Sequence, residues 1–84
     1  MVYLIQISGR AKKDIDKLTP KNKQKLKDIL VNLIAQDPYV GKKLIGDLSE
    51  YYSYRLNYQD RIVYSIDTNK NIIYVHRAKT HYGD

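Results

Sequence analysis

The 84 residues fit one domain, and we expect a single domain over residues 1–84. The sequence contains no cysteine, which excludes disulfide bonds, thiolate metal sites and a cysteine nucleophile. Fifteen lysines and arginines against nine acidic residues give a formal net charge of +6, which favours a polyanionic partner such as a nucleic acid or an acidic protein.

Residues 1–7 (MVYLIQI) are mostly apolar and β-favouring, and they predict a first strand. This segment is far shorter than the roughly 20 residues that a membrane span needs. It also lacks the basic flank and the small-residue cleavage site of a signal peptide. We therefore expect a cytoplasmic protein that does not associate with a membrane.

Two amphipathic helices are predicted next. Over residues 10–18, Ala11, Ile15 and Leu18 recur at helical spacing, and Ser8 is a candidate N-cap. Thr19-Pro20 then marks a second start, with Thr as N-cap and Pro in the first turn. The apolar positions of this second helix follow the clearest periodic pattern in the chain: Leu26, Ile29, Leu30, Leu33 and Ile34.

The first half of the second helix is rich in lysine. Positive charge at a helix N-terminus opposes the macrodipole, so these side chains do not favour the helix itself. They suit either a solvated surface or contact with RNA phosphates. The residues concerned are Lys21, Lys23, Lys25 and Lys27.

Asp37-Pro38 ends this helix, because the residue before a proline is pushed out of the helical region. We expect a loop over residues 39–43 and a short edge strand over residues 44–48. From Glu50 onward the hydrophobic pattern changes to the period of two that is typical of strands.

The rest of the chain predicts a run of hairpin-connected strands. Residues 67–71 form a cluster of turn-favouring residues, and residues 72–77 form a last strand. The resulting order is β-α-α-β-β-β. This order predicts an α+β fold in which the two helices cover one face of a small, largely antiparallel sheet.

Two arginines should lie close together on the other face of that sheet. The even-numbered residues of the two middle strands are apolar and should face the helices, so Arg55 and Arg61 should point away from them. A three-residue turn would place them directly opposite each other, where like charges are destabilising. Arginine binds phosphate through two parallel hydrogen bonds, and this pair therefore predicts a phosphate site. The alternative is neutralisation by nearby carboxylates, for which the candidates are Asp47, Glu50 and Asp60.

The end of the chain combines basic residues with proton-transfer groups. Arg77 and Lys79 are predicted to contact RNA, and His81 can exchange a proton near pH 7. Tyr82 can stack on a base or donate a proton. His76 lies five residues before His81, whereas helical metal pairs favour a spacing of four, and we predict neither a metal site nor a cofactor.

The sequence resembles the RelE/ParE superfamily of bacterial toxins over nearly its whole length. The segment LIGDLSEYYSYRLNYQDRIVYSID is similar to the central strands of these toxins, and the closing His-Tyr is similar to the ending of the YoeB branch. The most specific elements are L-S-x-x-Y-S-x-R, D-R-I-V-Y and the final H-Y. The resemblance implies an endoribonuclease that cuts mRNA in the ribosomal A site and is neutralised by a bound antitoxin.

The resemblance also implies a role for individual residues. Arg55 and Arg61 match arginines of the two strand motifs, and they would stabilise negative charge on the phosphate under attack by the RNA 2′-hydroxyl. Lys79 matches a basic position just before the ending. His81 and Tyr82 match the closing pair, in which His81 would transfer a proton and Tyr82 would orient the scissile nucleotide.

The chain departs from the YoeB pattern at one position. YoeB-type members carry a glutamate ahead of the L-x-x-x-L-S segment as the expected general base, and this chain has Gly41-Lys42-Lys43 there. RelE-type members use lysines around the site instead, so Lys42 and Lys43 are candidate RNA-binding residues. Asp47 and Glu50 are the carboxylates closest to this segment.

Two other functions fit the same residues. ParE members of the superfamily share these strands but inhibit DNA gyrase, and fold resemblance alone does not separate the two activities. A non-catalytic module that binds RNA or protein would need only the positive charge and the nine tyrosines.

Overall fold

The computed structural model describes residues 2–45 and 50–79. Two helices and five strands follow one another along these residues, in the predicted order but with one more strand after the helices than β-α-α-β-β-β contains. They are β1 (Leu4–Ile7), α1 (Gly9–Asp16), α2 (Pro20–Ile29), β2 (Lys42–Lys43), β3 (Tyr51–Arg55), β4 (Arg61–Asp67) and β5 (Ile72–Lys79). In the described part of the chain, neither helix is long and apolar enough to cross a lipid bilayer.

The strands form one sheet in the order β1-β5-β4-β3-β2. The pairs β2–β3, β3–β4 and β4–β5 are antiparallel, and β1 pairs with β5 in parallel, with Leu4 opposite Ile72. The parallel pair joins the first strand to the last, so its contacts are far apart in sequence and carry a large loop-closure cost. The predicted α+β class with a largely antiparallel sheet is confirmed.

Both helices begin where the sequence predicts. The Ser8 hydroxyl accepts a hydrogen bond from the backbone N–H of Ala11 at 3.1 Å, and the Thr19 hydroxyl accepts one from Asn22 at 3.2 Å. Each hydroxyl thereby satisfies one of the N–H groups that a helix start leaves unpaired. Ser8 also donates to the carbonyl of His76 at 3.1 Å, which ties the start of α1 to β5.

The second helix does not remain α-helical to its end. After Ile29 it widens into a π-helical turn over Leu30–Ile34, in which the N–H of Ala35 donates to the carbonyl of Leu30 at 2.8 Å. Leu30 and Ile34 of this turn are buried. The regular spacing of apolar residues predicted a continuous helix, because periodicity does not register one extra residue in a single turn.

The segment between the helices and the hairpins differs from the prediction. Residues 39–43 are not a loop throughout, because Pro38–Val40 form a short 3₁₀ turn and Lys42–Lys43 form β2. The predicted strand over residues 44–48 is wrong at 44 and 45, which lie outside any strand, and its remainder lies outside the described residues. The edge strand therefore begins earlier in the chain than the apolar residues suggested.

The core lies between the helices and one face of the sheet, as the alternating pattern predicts. The even-numbered residues of β3 and β4 face the helices, where Leu26 and Leu30 of the second helix meet them. The sheet residues that contribute to this core are Tyr52, Tyr54, Ile62, Tyr64, Ile66, Ile73 and Val75, and Leu56 joins them from the turn after β3.

Tyr64 holds the edge of the sheet to its centre. Its ring is fully buried, and its hydroxyl donates to the carbonyl of Pro38 at 2.7 Å and accepts from the N–H of Gly41 at 3.1 Å. Burial raises the pKa of Tyr64 to about 12, so the hydroxyl keeps its proton at neutral pH. A Cβ at Gly41 would collide with this hydroxyl and lie 2.9 Å from the carbonyl of Ser53, so the close approach requires glycine.

Asp14 joins α1 to the end of β5. Its carboxylate accepts from Nε of Arg77 at 2.9 Å, from Nη2 at 3.3 Å, and from the N–H of Ala78 at 3.0 Å. Burial by itself raises the pKa of Asp14, but these hydrogen bonds and the charges of Arg77 and Lys79 outweigh it and hold the pKa below its ordinary 3.8. The carboxylate is therefore ionised at neutral pH and fixes the guanidinium of Arg77.

We expect Tyr64→Phe to lower the free energy of unfolding by about 1–3 kcal/mol, because it leaves a carbonyl and an N–H without their partner. Chemical denaturation followed by circular dichroism measures this loss. Tyr58→Phe is the matched control, since Tyr58 is 86% exposed and its hydroxyl should matter by less than about 0.5 kcal/mol. Equal stability of Tyr64→Phe and wild type would contradict the role given to this hydroxyl.

We expect Asp14→Asn to lower stability by about 1–3 kcal/mol at pH 7, since it weakens charge-assisted hydrogen bonds. Because the pKa of Asp14 is lower in the folded chain than in the unfolded chain, its contribution is present above pH 3.8 and is lost as pH falls through the folded pKa. The difference from wild type should therefore shrink in denaturation series below about pH 4. The exposed Asp16→Asn is the control, and a difference that stays constant with pH would refute the ion pair's contribution.

Candidate nucleic-acid interface

Three basic side chains stand in a row across the sheet, on the face opposite the helices. We call this the outer face; it carries Arg55 of β3, Arg61 of β4 and Lys79 of β5. Arg55 is directly paired with Arg61, and Arg61 with Lys79. All three are exposed. The predicted juxtaposition of Arg55 and Arg61 is confirmed, and Lys79 extends it to a row of three positive charges, here called the basic row.

A tight turn brings the two arginines together. The N–H of Leu56 donates to the carbonyl of Asp60 at 2.9 Å, which closes a three-residue turn over residues 57–59. The side-chain oxygen of Asn57 accepts from the N–H groups of Gln59 and Asp60, both at 2.7 Å. This Asx turn is set by local sequence, so the register of the arginines is a local property.

The charges of Arg55 and Arg61 are not neutralised within the part of the chain that the structure describes. Neither guanidinium forms an ion pair or a side-chain hydrogen bond there. Of the carboxylates considered as partners, Asp60 accepts a hydrogen bond from the Asn57 side chain at 3.1 Å, and Asp47 lies outside the described residues. Directly opposed like charges repel, and a bound anion would relieve this repulsion.

A second row of residues runs beside the basic row. Lys42, Ser53, Val63 and Arg77 are paired in sequence across β2, β3, β4 and β5, so they share the outer face. Ser53 and Val63 are buried in its centre, while Lys42 is exposed at one end. Arg77, at the other end, is the residue held by Asp14. The outer face thus carries five basic residues around the buried side chains of Ser53 and Val63.

Several predicted residues are not brought to this face. Lys43 is paired with Tyr52, whose ring faces the helices, so Lys43 lies on the other side of β2 from Lys42. Glu50 precedes β3 at the end opposite Arg55, about 17 Å away along the strand. The four lysines of α2 lie on the helix that covers the other face, where Lys23 and Lys27 border an apolar groove beside β1. His81 and Tyr82 lie outside the described residues.

A group of side chains that the sequence did not single out lies next to the two rows. Oγ of Ser65 is 2.7 Å from Nε2 of His76, and the His76 ring lies against the Tyr51 ring with centroids 4.9 Å apart. Burial lowers the pKa of His76, so its imidazole is neutral at pH 7. The polar pair His76-Arg77 interrupts the alternation of apolar and polar residues along β5. This interruption is the one signal in the sequence for the group formed by Tyr51, Ser65 and His76.

A β-bulge explains why His76 turns toward Ser65. Val63 is paired with Arg77, whereas the next residue, Tyr64, is paired with Val75, so His76 has no partner on β4. Bulges redirect side chains and are common beside functional sites. Within the described ranges, no group of three or more histidine, aspartate or glutamate side chains is arranged to hold a metal ion.

The sequence and the fold both match known proteins. A sequence model of the ParE-like toxins of type II bacterial toxin–antitoxin systems matches residues 5–83. The YoeB dimer from Staphylococcus aureus is 29% identical, with 98% of this chain and 100% of that chain covered and a TM-score of 0.79. No curated protein sequence matches the chain significantly.

Two further solved structures share the fold at lower identity. The RelBE2 toxin–antitoxin complex from Mycobacterium tuberculosis contains a chain that is 23% identical, with coverage of 96% and 93% and a TM-score of 0.88. A chain of the intact Escherichia coli RelBE toxin–antitoxin complex is 22% identical, with coverage of 94% and 96% and a TM-score of 0.80. Because the family match spans nearly the whole sequence, the chain belongs to the ParE-like toxin family of type II bacterial toxin–antitoxin systems.

Proposed function

We propose that this toxin is a ribosome-dependent mRNA endoribonuclease. The observation that carries the proposal is the basic row on the outer face, where Arg55 and Arg61 oppose each other without a neutralising carboxylate in the described chain. A phosphodiester that crosses this row would bind both guanidiniums. Such an arrangement suits the stabilisation of a phosphate that gains negative charge during reaction.

The proposed reaction uses the RNA's own 2′-hydroxyl as nucleophile. Its oxygen loses its proton and attacks the adjacent phosphorus, the bond to the 5′-oxygen breaks, and that oxygen gains a proton, so that a 2′,3′-cyclic phosphate and a 5′-hydroxyl are released. His81 would either protonate the leaving 5′-oxygen or accept the 2′ proton. Arg61 and Arg55 would stabilise the charge on the non-bridging oxygens. By the resemblance of the chain's end to the YoeB ending, His81 would transfer a proton and Tyr82 would orient the nucleotide.

The ribosome has a physical role in this proposal. A shallow face on a small sheet holds an RNA chain in many orientations, and in-line attack requires one of them. A ribosome that presents a codon in a fixed, unstacked geometry would supply that orientation. The exposed lysines of α2 lie on the far side of the sheet from the basic row, and there they would contact ribosomal RNA while the outer face engages mRNA.

We also propose that a cognate antitoxin holds the toxin inactive. The S. aureus YoeB–YefM, M. tuberculosis RelBE2 and E. coli RelBE structures are toxin–antitoxin complexes. The net charge of +6 favours an acidic segment in the antitoxin. Binding of such a segment to the basic row would neutralise it and exclude mRNA.

Gyrase inhibition is the second candidate, because the matching family is described as ParE-like. It needs no cleavage chemistry on the outer face. A supercoiling assay with purified gyrase separates it from the nuclease. Inhibition of gyrase without any mRNA cleavage would favour this function. If substitutions of Arg61 and His81 change neither mRNA cleavage nor gyrase inhibition, a non-catalytic binding module is favoured.

The nuclease proposal predicts cuts at defined codon positions only when translating ribosomes are present, as measured by primer extension. Arg61→Gln should slow cleavage by about 10²–10³-fold, and His81→Ala by about 10²–10⁴-fold. Lys70→Gln is the control for Arg61, because it also removes one positive charge but lies in the turn at the other end of β4. Circular dichroism would verify folding. Wild-type cutting by a folded His81→Ala or Arg61→Gln variant would contradict the assigned roles.

The proposed role of α2 predicts a steep fall in ribosome affinity with salt. Replacement of Lys21, Lys23, Lys25 and Lys27 by glutamine should reduce the slope of log K against log salt by about 0.7–0.9 for each RNA phosphate that the helix no longer neutralises. The control replaces four other exposed lysines and leaves the slope nearly unchanged; these are Lys12, Lys13, Lys17 and Lys70. A flat salt response in wild type, or equal slopes in both variants, would refute the docking role.

A further inference from the structure

We propose that Tyr51, Ser65 and His76 form a subsite that holds one unpaired RNA base beside the basic row. The inference rests on the proposed function, since it assumes that mRNA crosses the outer face. It adds to that function a recognition element on the same face, one that neither the family match nor the matched motifs indicate. The subsite is defined by aromatic and polar side chains, whereas the basic row is defined by charge.

The aromatic surface of the subsite is fixed by the sheet. Tyr51 is directly paired with Ser65, and the bulge in β5 directs His76 back toward both of them. The hydrogen bond of 2.7 Å between Oγ of Ser65 and Nε2 of His76 holds the imidazole, and the Tyr51 ring lies against it at an interplanar angle of 46°. Because these rings are already ordered, stacking a base on them costs little further side-chain entropy.

The chemistry of the two rings suits a base and not a phosphate. Burial lowers the pKa of His76, so its ring presents a neutral π-surface at pH 7. Unpaired RNA bases are recognised by stacking on tyrosine and histidine, with hydrogen bonds to neighbouring polar groups. Half-buried Tyr74 is paired with Ser65 on the same face and adds a third aromatic ring.

The subsite opens into a cavity that contains positive charge. The cavity has a volume of about 340 Å³ and is lined by Ser8, Gly9, Arg10, Tyr51, His76 and Arg77. This volume falls in the range of small-molecule sites. Arg10 is exposed and Arg77 is oriented by Asp14, so a nucleotide whose base stacks on the rings would have its phosphate near guanidinium groups.

The position of the subsite makes it a flanking site. Ser65 lies four residues after Arg61 on β4, about 13 Å along the same face. Arg77, which is paired with Val63, lies between them. An RNA strand that runs along β4 would thus place its scissile phosphate at Arg61 and a neighbouring base at Tyr51. The rings of Tyr52 and Tyr64 are stacked on each other, but they face the helices and belong to the core.

The test uses a 2′-O-methylated single-stranded RNA hexamer, which cannot be cleaved by its own 2′-hydroxyl. Binding to the full chain is followed by NMR titration, and each nucleotide in turn is replaced by an abasic one. In wild type, one abasic position should weaken binding about tenfold, the order of magnitude for loss of one stacked base. Tyr51→Leu should weaken binding of the hexamer without an abasic site by the same factor. In this variant, the abasic substitution that weakens binding to wild type should have no further effect.

Matched variants separate stacking from a purely structural role. Tyr51→Phe keeps the ring and should bind as wild type does, whereas Tyr51→Leu keeps only an apolar side chain. Tyr39→Leu removes a 55% exposed ring that packs edge-on against Tyr52 on the helix side of the sheet, and it should leave RNA binding unchanged. Thermal denaturation of each variant shows that the fold is retained.

The outcomes distinguish the subsite from the proposed function. If abasic positions weaken binding equally in wild type and Tyr51→Leu while Arg61→Gln still reduces binding, the subsite is wrong and the nuclease proposal stands. If binding depends on Tyr51 and on one base but not on Arg61, the subsite stands, and Arg61 does not contribute to binding of the uncleaved RNA. Absence of hexamer binding to wild type overturns the subsite, whereas the ribosome-dependent nuclease is tested separately by primer extension.

Discussion

The hydroxyl of Tyr64 connects the central strand of the sheet to the segment between the second helix and the edge strand β2. It lies on the central strand β4 and bonds the carbonyl of Pro38 and the N–H of Gly41, which are far from it in sequence. Those bonds bring the chain back to the edge of β3, where Lys42 enters the sheet opposite Ser53. In this register Lys42, and not Lys43, lies on the outer face. The requirement for glycine at position 41 follows from the same close approach.

The outer face carries several positive charges, and the described chain neutralises some of them but not others. Arg77 is tied to Asp14, whereas Arg55 and Arg61 face each other without such a partner in the described chain. Opposed like charges disfavour the folded state, and the buried residues on the other side of the same strands offset this cost. Local interactions that oppose stability are characteristic of functional surfaces, because the ligand that relieves them is not part of the chain.

The match to the ParE-like toxin model shows the family of this chain. The functional proposal depends on the basic and aromatic side chains of the outer face. Solved relatives at 22–29% identity share this fold, which shows how little of the sequence the fold requires. A shared fold does not imply a shared activity, so the architecture does not choose between the nuclease and the gyrase inhibitor. The basic row and the aromatic group around His76 are properties of particular side chains, and they make the nuclease proposal specific enough to test.

The sequence by itself determined the elements whose causes are local. The caps at Ser8 and Thr19, the two-residue alternation of the hairpins and the turn that sets Arg55 opposite Arg61 all depend on neighbouring residues. Tertiary structure alone decided the β-bulge at His76 and the early edge strand at residues 42–43. It also decided the hydrogen bonds between Arg77 and Asp14, two residues that are 63 positions apart in the sequence. Periodicity reports which face a residue prefers, but it does not report which distant group will meet it there. That is settled when the chain packs, because packing brings together groups that no local pattern connects.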